Sequence, residues 1–305
     1  LKPAGKDYLW GGTRLRDDFS KDIDITPFAE AWECSTHPDG PSIVSSGEYK
    51  GTILTDVLKL HPEYLGTHPV SSDGGIPILI KFIDANDDLS IQVHPSDELA
   101  KKRHNSMGKT EMWYVIGADK GAKLRSGFSE QITPKEYKDR VYNNTITEVL
   151  QEYDIQPGDV FFLPAGRVHS IGAGAFIAEI QQTSDVTYRI YDFDRKDSKG
   201  NARELHTDLA REAINFEVLD DYRTQYDVVE NEPIELVACP YFTTSLYDMT
   251  EEITCDYSEL DSFVIFVCVE GSCTLYDNEK NEVSFKAGET VLMPASIQEV
   301  TIVPN

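Results

Sequence analysis

Short runs of β-branched and aromatic residues, separated by Gly, Asp, Asn and Pro, dominate the hydrophobic pattern of the chain. Such runs predict strands, because these side chains fit a pleated, half-buried surface and the residues between them favour turns. The clearest runs are IPILIKFI (76–83), LSIQVHP (89–95), EMWYVI (111–116), DVFFLP (159–164), AFIAEIQQ (175–182), VTYRIYDF (186–193), FVIFVCVEG (263–271), SCTLYD (272–277) and TVLMP (290–294). Many short strands at this spacing predict a mainly β protein built as a sandwich or barrel.

Helical patterns are few and short. They are ILTDVLKL (53–60), SDELAKKR (96–103) with a capping serine, the capping box from Thr133 to Glu136, and RELHTDLAREAINF (203–216). In the last of these, Leu205, Leu209 and Ala213 recur every four residues, which predicts a helix over the whole segment.

An internal repeat is the most informative feature of the pattern. Residues 157–169 (PGDVFFLPAGRVH) align with residues 287–299 (AGETVLMPASIQE), so that a Gly-acid turn, an apolar strand and a Pro-Ala step recur in register. Proline is confined to the edges and ends of strands, and we therefore expect each copy to end its strand at that proline. The position of His169 in the first copy is Glu299 in the second. The repeat predicts two related β units, of which the second has lost its imidazole.

Composition excludes several classes of protein. The formal net charge is −25 and the pI is near 4.5, which disfavours binding to nucleic acid or to anionic membranes, since both depend on clustered Lys and Arg. No run approaches the ~18 consecutive apolar residues of a membrane span. The five cysteines show no CxxC spacing, and the first residues lack the layout of a secretory signal, so we expect a cytoplasmic protein.

Polar residues on one face of an apolar strand are the first sign of a binding site. In LSIQVHP the side chains alternate, so Ser90, Gln92 and His94 share a face, and polar groups turned into a β core need a partner such as a cation. Four of the seven histidines precede proline, so the His-Pro pair alone is typical of a loop; His94 stands out because of its strand. His169 follows a Gly-containing turn that could bring its ring to the end of the same core.

The donors in this pattern are nitrogen and oxygen atoms. Imidazoles, a carboxylate and an amide oxygen suit zinc and are acceptable to other divalent ions. Because the set contains no thiolate, it predicts a catalytic rather than a structural metal site. Glu111, at the start of EMWYVI, would be unremarkable by itself among 53 acidic residues.

The same residues resemble a known family. Gly158, Pro164, Gly166 and His169 match the second cupin motif, and Gln92-Val93-His94 followed by Glu111 is similar to a first cupin motif with Gln in place of one His. Ordinary cupins have a shorter spacing between the His and the Glu. That departure, together with the segments IKFIDANDDLSIQVHPSDELA, GKTEMWYV, EAWECSTHPDGPS, GGTRL and QQTSDVTYRIYDFDR, resembles the short bacterial form of type I phosphomannose isomerase over nearly the whole chain.

The resemblance implies a fold of two cupin-type (jelly-roll) β-barrels with short helical insertions. We expect residues 1–225 to form the catalytic barrel with the metal site and residues 226–305 a C-terminal barrel without metal ligands. It also implies a zinc-dependent isomerase that interconverts mannose 6-phosphate and fructose 6-phosphate. Carried over to this sequence, the ligands of one Zn2+ per chain are Gln92, His94, Glu111 and His169.

Arg189 is the active-site arginine that the resemblance implies, and Lys109 matches a lysine that the family keeps near the substrate. Ser90 is a candidate phosphate contact because of its strand face. The isomerisation needs a general base, and the sequence does not identify it: Lys109, a candidate, would have to lose its proton, and the histidines would be occupied by metal.

Two other functions fit the same residues less well than an isomerase does. A cupin oxygenase using iron would also need a His/Glu set, but the Gln ligand and the family segments disfavour it. A non-catalytic sugar-binding regulator is disfavoured because every expected functional position is filled. As partners we expect a small hexose phosphate, no nucleic acid and no membrane, and we expect a monomer or weak dimer.

Overall fold

Strands dominate the computed structural model, which describes residues 1–67 and 74–305. The strands are β1 Ala4–Lys6, β2 Glu30–Cys34, β3 Ile78–Asp84, β4 Ile91–Val93, β5 Glu111–Ala118, β6 Lys123–Phe128, β7 Leu150–Asp154, β8 Val160–Leu163, β9 His169–Ile171, β10 Ala175–Gln182, β11 Tyr188–Tyr191, β12 Pro233–Ala238, β13 Thr243–Tyr247, β14 Ile253–Asp256, β15 Val264–Val267, β16 Ser272–Asp277, β17 Glu282–Lys286, β18 Thr290–Met293 and β19 Glu299–Pro304. The α-helices are α1 Arg14–Asp17, α2 Leu54–Leu60, α3 Asp97–His104, α4 Pro134–Tyr142 and α5 Thr207–Ala213; Pro62–Leu65 and Ile146–Val149 are short 3-10 helices. The expectation of a mainly β protein is confirmed.

Two sheets face each other in the first part of the chain. One has six strands in the order β1-β2-β3-β10-β5-β8, and the other has five in the order β11-β4-β9-β6-β7. Their inner faces share a buried apolar cluster that includes Trp113 and Ile177 from the first sheet and Leu124 and Ile171 from the second. The core of this unit therefore lies between the sheets.

The outer faces of these sheets are also covered. Ile91 and Val93 of β4 pack with Tyr137 of α4 and Ala210 of α5 outside the five-stranded sheet. Outside the six-stranded sheet, Met112 and Ile180 share a cluster with Leu236 and Phe242 of the C-terminal part. Because both faces are buried, β10 is buried along its whole length rather than alternating.

Strands β12 to β19 form three smaller sheets of their own, β12-β13, β14-β19-β16-β17 and β15-β18. Their side chains build a separate cluster around Leu275, Phe285 and Ile302. Among the residues that the structure describes, no sheet closes on itself, so a closed hydrogen-bonded barrel is absent and each unit is a set of open sheets packed together.

The two copies of the repeat adopt the same local geometry. Gly158 and Gly288 have φ values of 89° and 87°, in the left-handed region that glycine adopts readily. Each leads into a strand, β8 or β18, that stops before a proline. His169 then begins β9 and is buried, whereas Glu299 begins β19 and is exposed. The same turn geometry thus occurs twice, followed by a buried histidine in the first copy and by an exposed glutamate in the second.

The prediction of a helix over 203–216 is wrong in its bounds. The helix α5 starts only at Thr207, because residue 206 is bonded to β11: His206 N–H donates to Arg189 O at 2.7 Å, and Arg189 N–H donates to His206 Nδ1 at 3.0 Å. Leu205 and Leu209 are 44% and 37% exposed, and Ala210 instead faces the core. The helical spacing of the leucines gave the wrong start for this helix, because hydrogen bonds to β11 hold the chain just before Thr207.

Candidate metal centre

Four neighbouring strands of the five-stranded sheet place polar side chains in one row. Gln92 of β4 lies directly opposite Arg189 of β11 on one side and opposite His169 of β9 on the other. His169 in turn lies opposite Ser126 of β6. Residues directly opposite in antiparallel strands share a face, so these four side chains point the same way.

Glu111 reaches this row from the other sheet, where it begins β5. Its Oε1 lies 3.3 Å from His169 Nε2 and its Oε2 lies 3.5 Å from His94 Nε2. Donor atoms of His94, Glu111 and His169 all lie within 4.8 Å of one another, and all three side chains are buried. The amide nitrogen of Gln92 is 3.4 Å from His169 Nε2. The sheets thus bring all four predicted ligands together.

Backbone carbonyls set the tautomer of both histidines. His94 Nδ1–H donates to Val186 O at 3.0 Å, and His169 Nδ1–H donates to Arg167 O at 2.8 Å. Each ring therefore turns the lone pair of Nε2 toward Glu111, as metal-binding imidazoles do when their other nitrogen is fixed by a carbonyl. Rotation of the Gln92 amide would direct its oxygen at the same point.

Electrostatics also fit a cation at this point. Burial lowers the pKa of His94 to about 4 and lowers the pKa of His169, which keeps both rings neutral and able to coordinate a metal. Burial would raise the pKa of Glu111, but Lys109, His94 and His169 together outweigh it and hold that pKa well below its usual range. Among residues 1–67 and 74–305, neither carboxylate oxygen of Glu111 accepts a well-aligned hydrogen bond. A buried carboxylate without such partners suits a metal ligand.

Lys109 is buried beside the same donors. Its Nζ lies 3.1 Å from Glu111 Oε2 and donates to His94 Nε2 at 3.2 Å. The lysine predicted near the substrate is therefore in direct contact with two predicted ligands. A metal bound to His94 would have to displace this ammonium from Nε2.

Arg189 and Ser90 occupy different settings. Arg189 is half-buried beside Gln92, and its guanidinium donates to Glu204 O at 2.8 Å. Ser90 is buried, but β4 begins only at Ile91, and Leu89 packs in the inner cluster rather than with Ile91. The alternation that links Ser90 to Gln92 therefore does not extend to residue 90, and its phosphate contact stays a prediction.

The six-stranded sheet contains buried charged residues that were not predicted from the sequence. Lys81 of β3 lies 3.3 Å from Glu179 Oε1 and 3.6 Å from Glu30 Oε2. Trp113 Nε1 donates to Glu179 at 2.9 Å, and its ring lies edge-on to His169, with 5.3 Å between ring centroids. A single charged residue lies inside each of the apolar runs ILIKFI and AFIAEI. Such a residue indicates a buried ion pair, because a charge is rarely buried without a partner.

In the described part of the chain, no helix is long and apolar enough to cross a membrane.

Residues 1–122 match the family described as phosphomannose isomerase type I, catalytic domain, and residues 233–304 match the mannose-6-phosphate isomerase cupin domain.

Curated relatives match along nearly the whole chain. It is 37% identical over 306 residues to "Probable mannose-6-phosphate isomerase GmuF" of Bacillus subtilis, with 99% of this chain and 95% of that protein covered. It is 33% identical over 291 residues to the mannose-6-phosphate isomerase of Streptococcus mutans, covering 95% and 90%. The crystal structure of the mannose 6-phosphate isomerase from Bacillus subtilis superposes with a TM-score of 0.88 at 32% identity, covering 100% of this chain and 96% of that one.

Proposed function

This chain belongs to the type I phosphomannose isomerases and is a mannose-6-phosphate isomerase, and we propose that it works with one zinc ion held by Gln92, His94, Glu111 and His169. The observation that carries the proposal is the approach of two neutral imidazole Nε2 atoms and one buried carboxylate to within 4.8 Å. Nitrogen and oxygen donors without thiolates are typical of catalytic zinc.

The reaction is the transfer of a proton between C1 and C2 of the open-chain hexose phosphate, through an enediol. A bound zinc ion would supply Lewis acidity toward the oxygens on these two carbons. Arg189, beside Gln92 in the same row, would stabilise negative charge on the same oxygens or hold the phosphate. Both roles need its guanidinium to face the space between the two sheets.

Lys109 is the candidate for proton transfer. Its ammonium is buried and lies against Glu111 and His94, so it is placed directly beside the proposed metal ligands. Glu111, His94 and His169 serve as ligands in the same proposal, so none of them is free to act as the general base. Ser90 and Lys109 are the further candidates for contact with the substrate.

The architecture proposed with this function is a pair of cupin-type jelly-roll units. Residues 1–225 would form the catalytic unit and residues 226–305 a second unit without metal ligands. The shared turn geometry at Gly158 and Gly288 and the family match of residues 233–304 support this division. The exposure of Glu299 supports the absence of a metal site in the second copy.

The test is an assay that follows fructose 6-phosphate formed from mannose 6-phosphate, coupled to a metal analysis of the same sample. We expect about one zinc ion per chain, loss of turnover after chelation, and recovery when zinc is returned. Full turnover in a chelated sample free of divalent metal would contradict the metal-dependent mechanism. Iron-dependent oxygen uptake without formation of fructose 6-phosphate would favour an oxygenase instead.

A further inference from the structure

Asp97 connects the segment that carries Lys109 and Glu111 to the C-terminal part of the chain. Its carboxylate accepts three hydrogen bonds at the start of α3: from Gly108 N–H at 2.8 Å, from Gln182 Nε2 at 2.9 Å and from Tyr241 O–H at 2.8 Å. These donors come from three separate regions of the sequence. The carboxylate is therefore the point at which those regions meet.

Gln182 carries this connection to the residue between Lys109 and Glu111. Thr110 N–H donates to Gln182 Oε1 at 2.8 Å, and Gln182 N–H donates to Thr110 O at 3.0 Å. Gln182 and Thr110 are only 1% and 4% exposed, so water cannot readily replace these bonds. The orientation of the Gln182 amide, which Asp97 fixes, thereby sets the backbone of Thr110.

Gly108 packs directly on the first turn of α3. A Cβ atom at this position would lie 2.6 Å from Asp97 N and 2.7 Å from Ser96 C, which is closer than real Cβ contacts allow. Lys109 N–H also donates to Pro95 O at 3.2 Å. The backbone at Gly108 and Lys109 is therefore held against the start of α3, and a shift of Asp97 would be passed on to Lys109.

Tyr241 reaches Asp97 from the connection between β12 and β13. Its neighbour Phe242 is buried in the cluster that contains Met112 of β5 and Ile180 of β10. Cys239 N–H donates to Phe242 O at 3.0 Å and closes the connection. The hydroxyl of Tyr241 thus arrives at a fixed position, because the residues on either side are anchored.

We propose that Asp97 is a positioning residue for Lys109 and Glu111, and that Tyr241 gives the C-terminal part of the chain a direct role in holding the active site. The proposal rests on the proposed function, because it is through Lys109 and Glu111 that the hydrogen bonds would affect turnover. It gives the C-terminal part a role in positioning the active site, which a metal-free unit folded independently of the first would not have. Tyr241 itself is partly exposed and bonds to Asp97, not to a predicted metal ligand.

The test uses four variants of the full chain, each loaded with zinc: Tyr241→Phe, Asp97→Ala, Asp97→Asn and the pair Tyr241→Phe with Asp97→Ala. Asparagine keeps an oxygen for Gly108 and Gln182 and offers its N–H to the Tyr241 oxygen, so it preserves all three contacts. Tyr247→Phe is the matched control, because that hydroxyl contacts Cys255 within the C-terminal part, at 3.6 Å. The measurements are kcat, KM, zinc affinity by chelator competition, and the thermal midpoint.

We expect Asp97→Ala to lower kcat and zinc affinity by roughly 10- to 100-fold, the range found for partners that orient metal ligands. Tyr241→Phe should lower kcat by roughly 3- to 10-fold with a nearly unchanged thermal midpoint, since the loop keeps its Phe242 anchor. Asp97→Asn should restore kcat to within about threefold of the parent. The double variant should equal Asp97→Ala, because Tyr241 acts only through that carboxylate.

The proposal is overturned if Tyr241→Phe and Tyr247→Phe behave alike, or if the effects of Asp97→Ala and Tyr241→Phe simply add. It is also overturned if Asp97→Ala changes the thermal midpoint while leaving kcat and zinc affinity at parental values. A parent enzyme without isomerase turnover would instead refute the proposed function. In that case zinc affinity would still report whether Asp97 positions Glu111.

Discussion

Gln92 lies directly opposite His169 on neighbouring antiparallel strands, with 3.4 Å between the Gln92 amide nitrogen and the Nε2 atom of His169. Glu111 approaches the same Nε2 atom from the facing sheet at 3.3 Å. The candidate metal centre is thus held by the packing of two sheets across a buried core, and not by a flexible loop. Removing one ligand should therefore leave the framework in place.

His169→Ala tests this relationship. We expect zinc content to fall to less than about a tenth of the parent and turnover to be lost, because a site with one imidazole and two oxygen donors binds zinc weakly. Circular dichroism should stay that of a folded, mainly β protein, since the apolar cluster between the two sheets is built from other residues, among them Trp113 and Ile171. His61→Ala, at a partly exposed histidine that contacts Tyr49, is the control and should keep zinc and activity.

Local patterns in the sequence were sufficient for much of the fold. The strands 175–182 and 272–277 have the predicted bounds, and the capping box at Thr133 and Glu136 is present, because these features depend on neighbouring residues. Helix α5 was mispredicted because its start depends on Arg189, which is remote in sequence. Long-range contacts decide such boundaries.

The same distinction applies to the site. Alternation and the turn before His169 were enough to select residues whose donors converge, whereas the role of Glu111 came from the family resemblance. The ion pair of Lys81 with Glu179 could not be foreseen, because it exists only once β3 and β10 pair in a particular register. Nor could the contact of Tyr241 with Asp97, which joins positions far apart in the chain.

Arg189→Ala should lower kcat by about 10² or more while zinc content stays at the parental level, the size expected for losing one stabiliser of developing charge. Arg189 lies opposite Gln92 but donates to Glu204 rather than to a predicted ligand, so the metal should not depend on it. Arg140→Ala is the control, since that guanidinium pairs with Glu148 away from the site. Parental kcat in Arg189→Ala would mean that the arginine has no part in catalysis.

His206 holds the backbone of Arg189 through two hydrogen bonds, one of which needs an unprotonated Nδ1. His206→Ala should therefore lower kcat, by roughly 3- to 30-fold, through displacement of the Arg189 strand. His206→Asn, whose side-chain oxygen can accept from the same N–H, should recover most of the loss. Equal turnover in the alanine and asparagine variants would contradict the positioning role. His104→Ala, at the exposed histidine whose Nε2 contacts the Tyr188 hydroxyl, controls for a histidine lost from the same region.

Lys109→Met separates metal binding from proton transfer. The ammonium donates to His94 Nε2, an atom that a bound metal would require, so its removal should leave zinc affinity unchanged or raise it. Turnover should fall by about 10² or more if Lys109 moves the proton or holds the substrate. Lys101→Met, at an exposed position of α3, is the control. Loss of zinc together with loss of turnover would instead make Lys109 a support of the ligand set.

The metal-free protein should lose stability on acidification because of its buried histidines. Burial lowers the pKa of His94 to about 4 from an ordinary value of 6.5, and the pKa of His169 is lowered as well. Well above pH 6.5 both rings are neutral in the folded and the unfolded chain, so they contribute no pH dependence there. Below pH 6.5 the histidines of the unfolded chain bind protons while those of the folded chain stay neutral. The free energy of unfolding therefore falls as the pH is lowered.

For His94 alone this fall amounts to about 3 kcal/mol by pH 4, at about 1.4 kcal/mol for each pKa unit. Urea unfolding of chelator-treated protein at several pH values between 7.5 and 4 measures it. His94→Gln should flatten the curve, because glutamine does not titrate, whereas His61→Gln at a partly exposed position should leave it unchanged. If His94→Gln and the parent lose stability at the same rate, His94 is not held neutral by burial. The site would then be wetter than the packing of the two sheets implies.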